Sequence, residues 1–304
     1  MTSRTKAYLA LLANAAIWGW ALPLAKRGFA ETGPMTFLFY RYVFAVIASL
    51  PFMIVFWKKI KCRLAGILEM AAIAIFSTVL GHWLLYQGLE RSSSLEASLL
   101  TILIPIFITL GGVLFLKETI TKREKIGTII AFLGSFLIVV EPLFLNHQKL
   151  STTHSLGNLM ILAYNFSWVL AVLWMKRVAN KYHPFTLVFI SFVVGLLSFL
   201  PLALKENPML FSQNYFAFPN AFFASLYMGT LGSVGAFSLY QYGQKFIEAS
   251  EASLFTYLTV LFAAPLAIFW LGEKLTLPFI IGGIIVALGV ILAESRRQFN
   301  LSKG

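Results

Sequence analysis

The chain alternates between long apolar stretches and short clusters of charge, proline or glycine. Ten such stretches stand out, at about 7–25, 34–57, 64–88, 95–116, 126–143, 156–175, 184–204, 219–243, 251–271 and 278–294. A run of about 20 apolar residues matches the hydrocarbon thickness of a bilayer when wound as a helix. The pattern predicts an all-α integral membrane protein with ten transmembrane helices. The first stretch is longer than the apolar part of a secretory leader, and no small-residue cleavage site follows it, so it is expected to be retained.

Composition narrows the solvent. Of 304 residues, 59% are apolar or aromatic and 12% are charged, with a mean hydropathy of +0.81. A soluble domain has about 25% charged residues, so half the usual charge must cover this surface. That argues against a soluble enzyme, a nucleic-acid-binding module and a disordered chain, and makes the lipid bilayer the main partner. The net charge of +12 then reads as cytoplasmic loops rich in Lys and Arg. With the N-terminus in the cytoplasm, the inside segments hold 17 basic residues: Arg4, Lys6, Lys58, Lys59, Lys61, Arg63, Lys117, Lys122, Arg123, Lys125, Lys176, Arg177, Lys181, Lys245, Arg296, Arg297 and Lys303. The outside segments hold 6, namely Lys26, Arg27, Arg91, Lys149, Lys205 and Lys274, and Arg41 alone falls within a span. This split predicts both termini in the cytoplasm, an even number of spans, and residence in the cytoplasmic (inner) membrane. The single cysteine, Cys62, rules out an intrachain disulfide and a thiolate metal cluster. The acids are all Glu, and neither a metal site nor a cofactor is expected.

The chain repeats itself. Trp18, Lys26, Arg27, Pro34, Thr36, Phe39 and Pro51 recur as Trp168, Lys176, Arg177, Pro184, Thr186, Phe189 and Pro201, at an offset of 150. Gly81, Tyr86 and Gln87 recur as Gly235, Tyr240 and Gln241 at 154, and Glu96-Ala97-Ser98-Leu99 as Glu251-Ala252-Ser253-Leu254 at 155. Glu118, Thr121, Gly127 and Gly134 recur as Glu273, Thr276, Gly282 and Gly289. Each repeat, 7–143 and 156–294, therefore holds five helices. An odd number of spans forces the second copy to enter the membrane from the opposite side. The predicted architecture is two inverted five-helix repeats, an arrangement that places a transporter's substrate site near the midplane between the halves.

The fourth helix of each half begins Glu-Ala-Ser-Leu and ends near a Glu. Tyr-Gln precedes it, and a Gly-rich fifth helix follows. With Trp18 and Trp168 in the first helices, this duplicated pattern resembles the EamA family of the drug/metabolite transporter superfamily across roughly residues 7–294. The resemblance implies a secondary transporter of small organic metabolites, with export of amino acids or similar compounds as the leading expectation.

Several residues are candidates for substrate binding, each beside a structural alternative. Arg41 is the one basic residue within a span. A charge at the bilayer centre costs about 2.5–3.5 kcal/mol on insertion scales, so it either snorkels to the interface or anchors an anionic substrate group such as a carboxylate. Its repeat mate is Ser191. His82 and Tyr86 share a helical face and either bind substrate or satisfy a core. Tyr86-Gln87 and Tyr240-Gln241 either line the pathway or tie helices together. Asn14 with Trp18, and Asn165 with Trp168, place an amide and an indole on one face of each first helix, as a cavity wall or a packing face. Thr101 on helix 4, with Thr256 and Tyr257 on helix 9, joins the list beside the kink expected at Pro105. Glu96 and Glu251 read as helix-starting acids.

Catalytic motifs for metal-dependent proteolysis, phosphate cradling or a nucleophilic serine do not occur, so no enzyme activity and no catalytic residue are expected. A proton-coupled carrier needs a titrating group in its pathway, for which His82 and Glu69 are candidates; a facilitator needs none. Two alternatives stand beside transport. A membrane enzyme acting on lipid intermediates would need clustered acids or His at one face. A non-transporting scaffold would fill its midplane with side chains. The sequence leaves the substrate, the direction of transport and the oligomeric state open.

Overall fold

The computed structural model describes residues 2–56, 64–91, 100–101, 103–117, 120–145, 155–259, 261–263 and 277–294. Its regular structure is helical throughout. In chain order the helices are α1 (Ser3–Thr32), α2 (Pro34–Phe56), α3 (Leu64–Arg91), α4 (Leu103–Leu116), α5 (Lys122–Leu145), α6 (Ser155–Val178), α7 (Pro184–Glu206), α8 (Pro219–Phe246), α9 (Ala249–Leu254) and α10 (Leu277–Glu294). Six of the described helical stretches are long and apolar enough to cross a membrane: Ser3–Thr32, Pro34–Ile54, Leu64–Arg91, Leu159–Val178, Phe185–Glu206 and Pro219–Phe246. The fourth and ninth expected spans are described only in part. Glu96, Ser98, Cys62, Glu118, Glu273, His147 and His154 lie outside the described residues.

Helix α1 differs from its expected extent. The Lys26-Arg27 pair was expected in an external link after residue 25, yet α1 continues through it to Thr32. Two adjacent charges do not break a helix. The stop comes at Gly33, whose φ of 85° suits a residue without Cβ. Its amide donates to the Phe29 carbonyl 2.8 Å away, closing the last turn.

Helices α3 and α8 each contain a wider π-type segment, Ile75–Leu80 in α3 and Met228–Gly235 in α8. These segments fall at equivalent places in the repeat, just before or at Gly81 and Gly235. They were not expected from the sequence. A π segment inserts a residue into the helix ladder and loosens its carbonyls for other donors, and it occurs often at functional sites.

The helices pair across the two halves, with equivalent helices antiparallel. The start of α2 meets the end of α7, where the Glu206 carboxylate accepts from the backbone amides of Met35 and Thr36 at 3.2 and 2.7 Å. The end of α2 meets the start of α7, where Phe52 stacks on Phe185. Helices α5 and α10 cross through glycines. A Cβ on Gly134 would stand 2.7 Å from the Gly282 carbonyl oxygen, and one on Gly289 would stand 2.8 Å from that of Gly127. These two contacts exchange under the repeat offset of 155. Likewise α1 runs along α8 and α3 along α6. The core between the α1–α8, α2–α7 and α3–α6 pairs is one cluster that includes Phe37, Tyr42, Tyr86, Trp168, Phe199 and Tyr240.

Candidate substrate site

Arg41 projects from α2 into the space between α2, α3 and α8 and is 6% exposed. It does not snorkel. Its Nε donates to Ser233 Oγ at 3.1 Å, and its Nη1 to the Tyr86 hydroxyl at 3.1 Å. The guanidinium lies 5.6 Å from the centre of the Tyr42 ring. Among the described residues, no carboxylate lies within ion-pair distance of it. Its surroundings are thus neutral oxygens and a π face, which hold a cation without cancelling its charge.

The local backbone makes this position. Ser233 reaches Arg41 because it sits in the π segment of α8. Gly229, one turn earlier, lets α8 press against α2: a Cβ there would stand 2.5 Å from the Arg41 carbonyl oxygen and 2.6 Å from Phe44 Cβ. Gly195 does the same for α7 against α3, where a Cβ would stand 2.8 Å from Thr78 Cγ2.

His82 adjoins the arginine. Its Nδ1 lies 2.8 Å from the Tyr42 hydroxyl and 3.1 Å from the Thr78 carbonyl. It accepts from the phenol in one tautomer and donates to the carbonyl in the other. Tyr86 in turn points its hydroxyl at Met228 Sδ, 3.6 Å away, and packs its ring between Phe29 and Phe37. Arg41, His82 and Tyr86 therefore form one cluster. Tyr42, Thr78 and Ser233 complete it, three residues that sequence reasoning did not single out.

An aromatic cluster adjoins this polar one. Trp18 and Trp168 meet edge to face with centroids 5.8 Å apart, and Tyr240 lies against both at 5.4 and 6.4 Å. Phe237 and Tyr164 extend the wall. The repeat-related indoles thus face each other across the molecular centre. The donor of Trp18, Nε1, bonds the Gly232 carbonyl at 2.9 Å, and Ser167 Oγ bonds the Phe76 carbonyl at 2.6 Å. Each first helix therefore gives a side-chain donor to a π-segment carbonyl in the other half.

The remaining candidates are placed elsewhere or already engaged. Asn14 Nδ2 donates to the Ala236 carbonyl at 2.8 Å, and Asn165 Nδ2 to the Leu100 carbonyl at 2.6 Å, so both amides tie helices. Gln241 is buried and aims its Nε2 at Met175 Sδ. Gln87 lies at the end of α3, where its carbonyl and Oε1 both accept from Arg91 Nη1 at 2.8 and 2.6 Å. Thr101 is half-buried just before α4. Tyr257 packs in a second cluster with Ala131, Leu254, Val286 and Val290. Glu69 accepts from Lys181 Nζ at 2.5 Å and from the Tyr182 hydroxyl, which places it at the end of the bundle rather than in this centre. No group of three or more His, Cys or Glu side chains converges among the described residues.

Comparison with known proteins agrees with this architecture. The model of the EamA-like transporter family matches residues 5–140 and again 155–294. An uncharacterized transporter of Archaeoglobus fulgidus is 27% identical, with 98% of this chain and 100% of that one covered. The uncharacterized transporter YdfC of Bacillus subtilis is 29% identical over 90% of this chain and 86% of its own. A solved crystal structure superposes with a TM-score of 0.77 at 15% identity, covering 97% of this chain and 99% of that one, a likeness of fold. With the family pattern matched twice, once in each half, the chain belongs to the EamA-like transporter family, within the drug/metabolite transporter superfamily.

Proposed function

We propose that this membrane transporter exports small organic metabolites bearing a carboxylate, amino acids among them, across the cytoplasmic membrane by alternating access. The halves 7–143 and 156–294 act as inverted repeats. The antiparallel packing of α2 on α7 and of α5 on α10 supports this, because each is a helix packed against its own repeat mate. Exchanging the conformations of two inverted copies converts one open side into the other.

The observation that carries the substrate reading is Arg41. A buried cation with only neutral partners is costly, and a ligand carboxylate is the partner that removes that cost. The aromatic wall beside it suits the apolar body of an amphipathic solute. The indoles of Trp18 and Trp168 touch here, filling the middle in the way a scaffold would. The family membership favours transport, and in that case the indoles part when substrate passes.

Uptake and release by proteoliposomes test the proposal, with leucine and phenylalanine as solutes. Arg41→Ala is expected to lower carboxylate transport by at least tenfold, since a charge-assisted hydrogen bond contributes about 1.5–3 kcal/mol. Arg41→Lys is expected to restore part of it. Equal rates for wild type, Arg41→Ala and empty vesicles would overturn the proposal. The same assay tests proton coupling, for which Glu69 and His82 are the candidate titrating groups: an imposed pH gradient that leaves the rate unchanged makes the carrier a facilitator.

A further inference from the structure

The two halves differ where the chemistry lies. The repeat mates of Arg41, Tyr164 and His82 are Ser191, Asn14 and Ala236. At the α1–α8 pair, Asn14 donates to the Ala236 carbonyl and the contact is packing. At the repeat-related α6–α3 pair, the same two positions hold Tyr164 and His82. The Tyr164 ring lies against α3 at Gly81, where a Cβ would stand 3.7 Å from its Cδ2, and beside Trp168, with centroids 6.5 Å apart. Its hydroxyl makes no hydrogen bond among the described residues and lies within electrostatic range of the Arg41 guanidinium. Three departures from the repeat thus converge at one place.

Arginine has five N–H donors in a planar fork. Here Nε is used by Ser233 and one Nη1 hydrogen by Tyr86, while Nη2 has no acceptor among the described residues. The Nη1–Nη2 edge is the one that grips a carboxylate through two parallel bonds. We propose that Tyr164 is a second anchor for the substrate's carboxylate, donating its phenolic hydrogen to the oxygens that Arg41 holds through Nη1 and Nη2. The anion is then gripped from both halves at once, by α2 and by α6. A carboxamide binds less well, because it is neutral and turns its NH2 group toward the Arg41 edge, which offers donors and no acceptor. This inference rests on the carboxylate reading of Arg41.

Calorimetric titration of the purified full-length protein in detergent, with 3-phenylpropionate and 3-phenylpropionamide as probes, tests it. Tyr164→Phe removes one oxygen and keeps the ring against Gly81 and Trp168. The wild type is expected to bind the acid and to discriminate against the amide. Tyr164→Phe is expected to weaken acid binding about tenfold with amide binding and melting temperature unchanged, and Tyr164→Leu is expected to lose the same preference. Acid binding by Tyr164→Phe equal to wild type, while Arg41→Ala fails to bind, overturns the role of Tyr164 and leaves that of Arg41 standing. Equal weakening of both probes overturns it as well, since it marks a packing role. A wild type that treats acid and amide alike overturns both readings.

Discussion

A missing side chain can matter as much as a present one. Gly229 admits the Arg41 backbone to within 2.5 Å of where its Cβ would be, whereas the nearest atom to a Cβ on Gly235 would be 4.0 Å away. Both belong to the same π segment. Gly229→Ala is expected to cost about 1–3 kcal/mol through overpacking against backbone, read as a lower melting temperature in detergent. Gly235→Ala is the matched control and is expected to leave it nearly unchanged. Arg41, His82 and Tyr86 were legible from sequence as polar groups in apolar spans, because a buried charge or imidazole announces itself in such a composition. Tyr164 was not, since a Tyr within a span is ordinary. Its signal was the repeat, in which Asn14 stands at the same place.

At the scale of elements, most helix bounds follow from prolines and charges, as at Pro34, Pro184 and Pro219, each the first residue of its helix. The π segments did not, because a π bulge depends on which donors approach from neighbouring helices. Trp18 and Ser167 come from the other half, about 214 and 91 residues away, a separation no local pattern encodes. A second element-scale feature is the tie between α3 and the α6–α7 link, where Glu69 accepts from Lys181 and Tyr182. The hydrogen bonds to Glu69 and Tyr182 raise the Lys181 ammonium above its ordinary range. A raised lysine stabilises the fold in full below the unfolded value, near 10.4, and loses that contribution as pH rises through the folded value. The melting difference between wild type and Lys181→Met is expected to be flat from pH 6 to 9 and to shrink only at strongly alkaline pH. A difference that vanished already below pH 9 would contradict this assignment. The exposure of Lys181 keeps the effect small.

The whole molecule is two similar halves, and with both termini in the cytoplasm its basic residues are expected to sort 17 to 6 about the membrane. Cys62, the only cysteine, sits in the basic 58–63 segment and offers a direct test of orientation. A membrane-impermeant maleimide is expected to label it in inverted vesicles and not in right-side-out cells; labelling from outside would reverse the proposed topology. The near-symmetry also bears on how such a carrier acquires a charged centre. Were the halves identical and separate, an arginine at position 41 would return at position 191. The packed pair α2 and α7 would then bury two guanidinium groups. Their levels differ by about 8 residues, or roughly 12 Å of helix rise, close enough for mutual repulsion of about 1 kcal/mol at an effective dielectric of 20. A second desolvation cost would come on top, with no second anion to offset it. Joining both copies in one chain lets them diverge, so that one side holds Arg41 and the other Ser191. A lone positive charge at the heart of the protein is thus an option open to a fused duplication and closed to a dimer of equals.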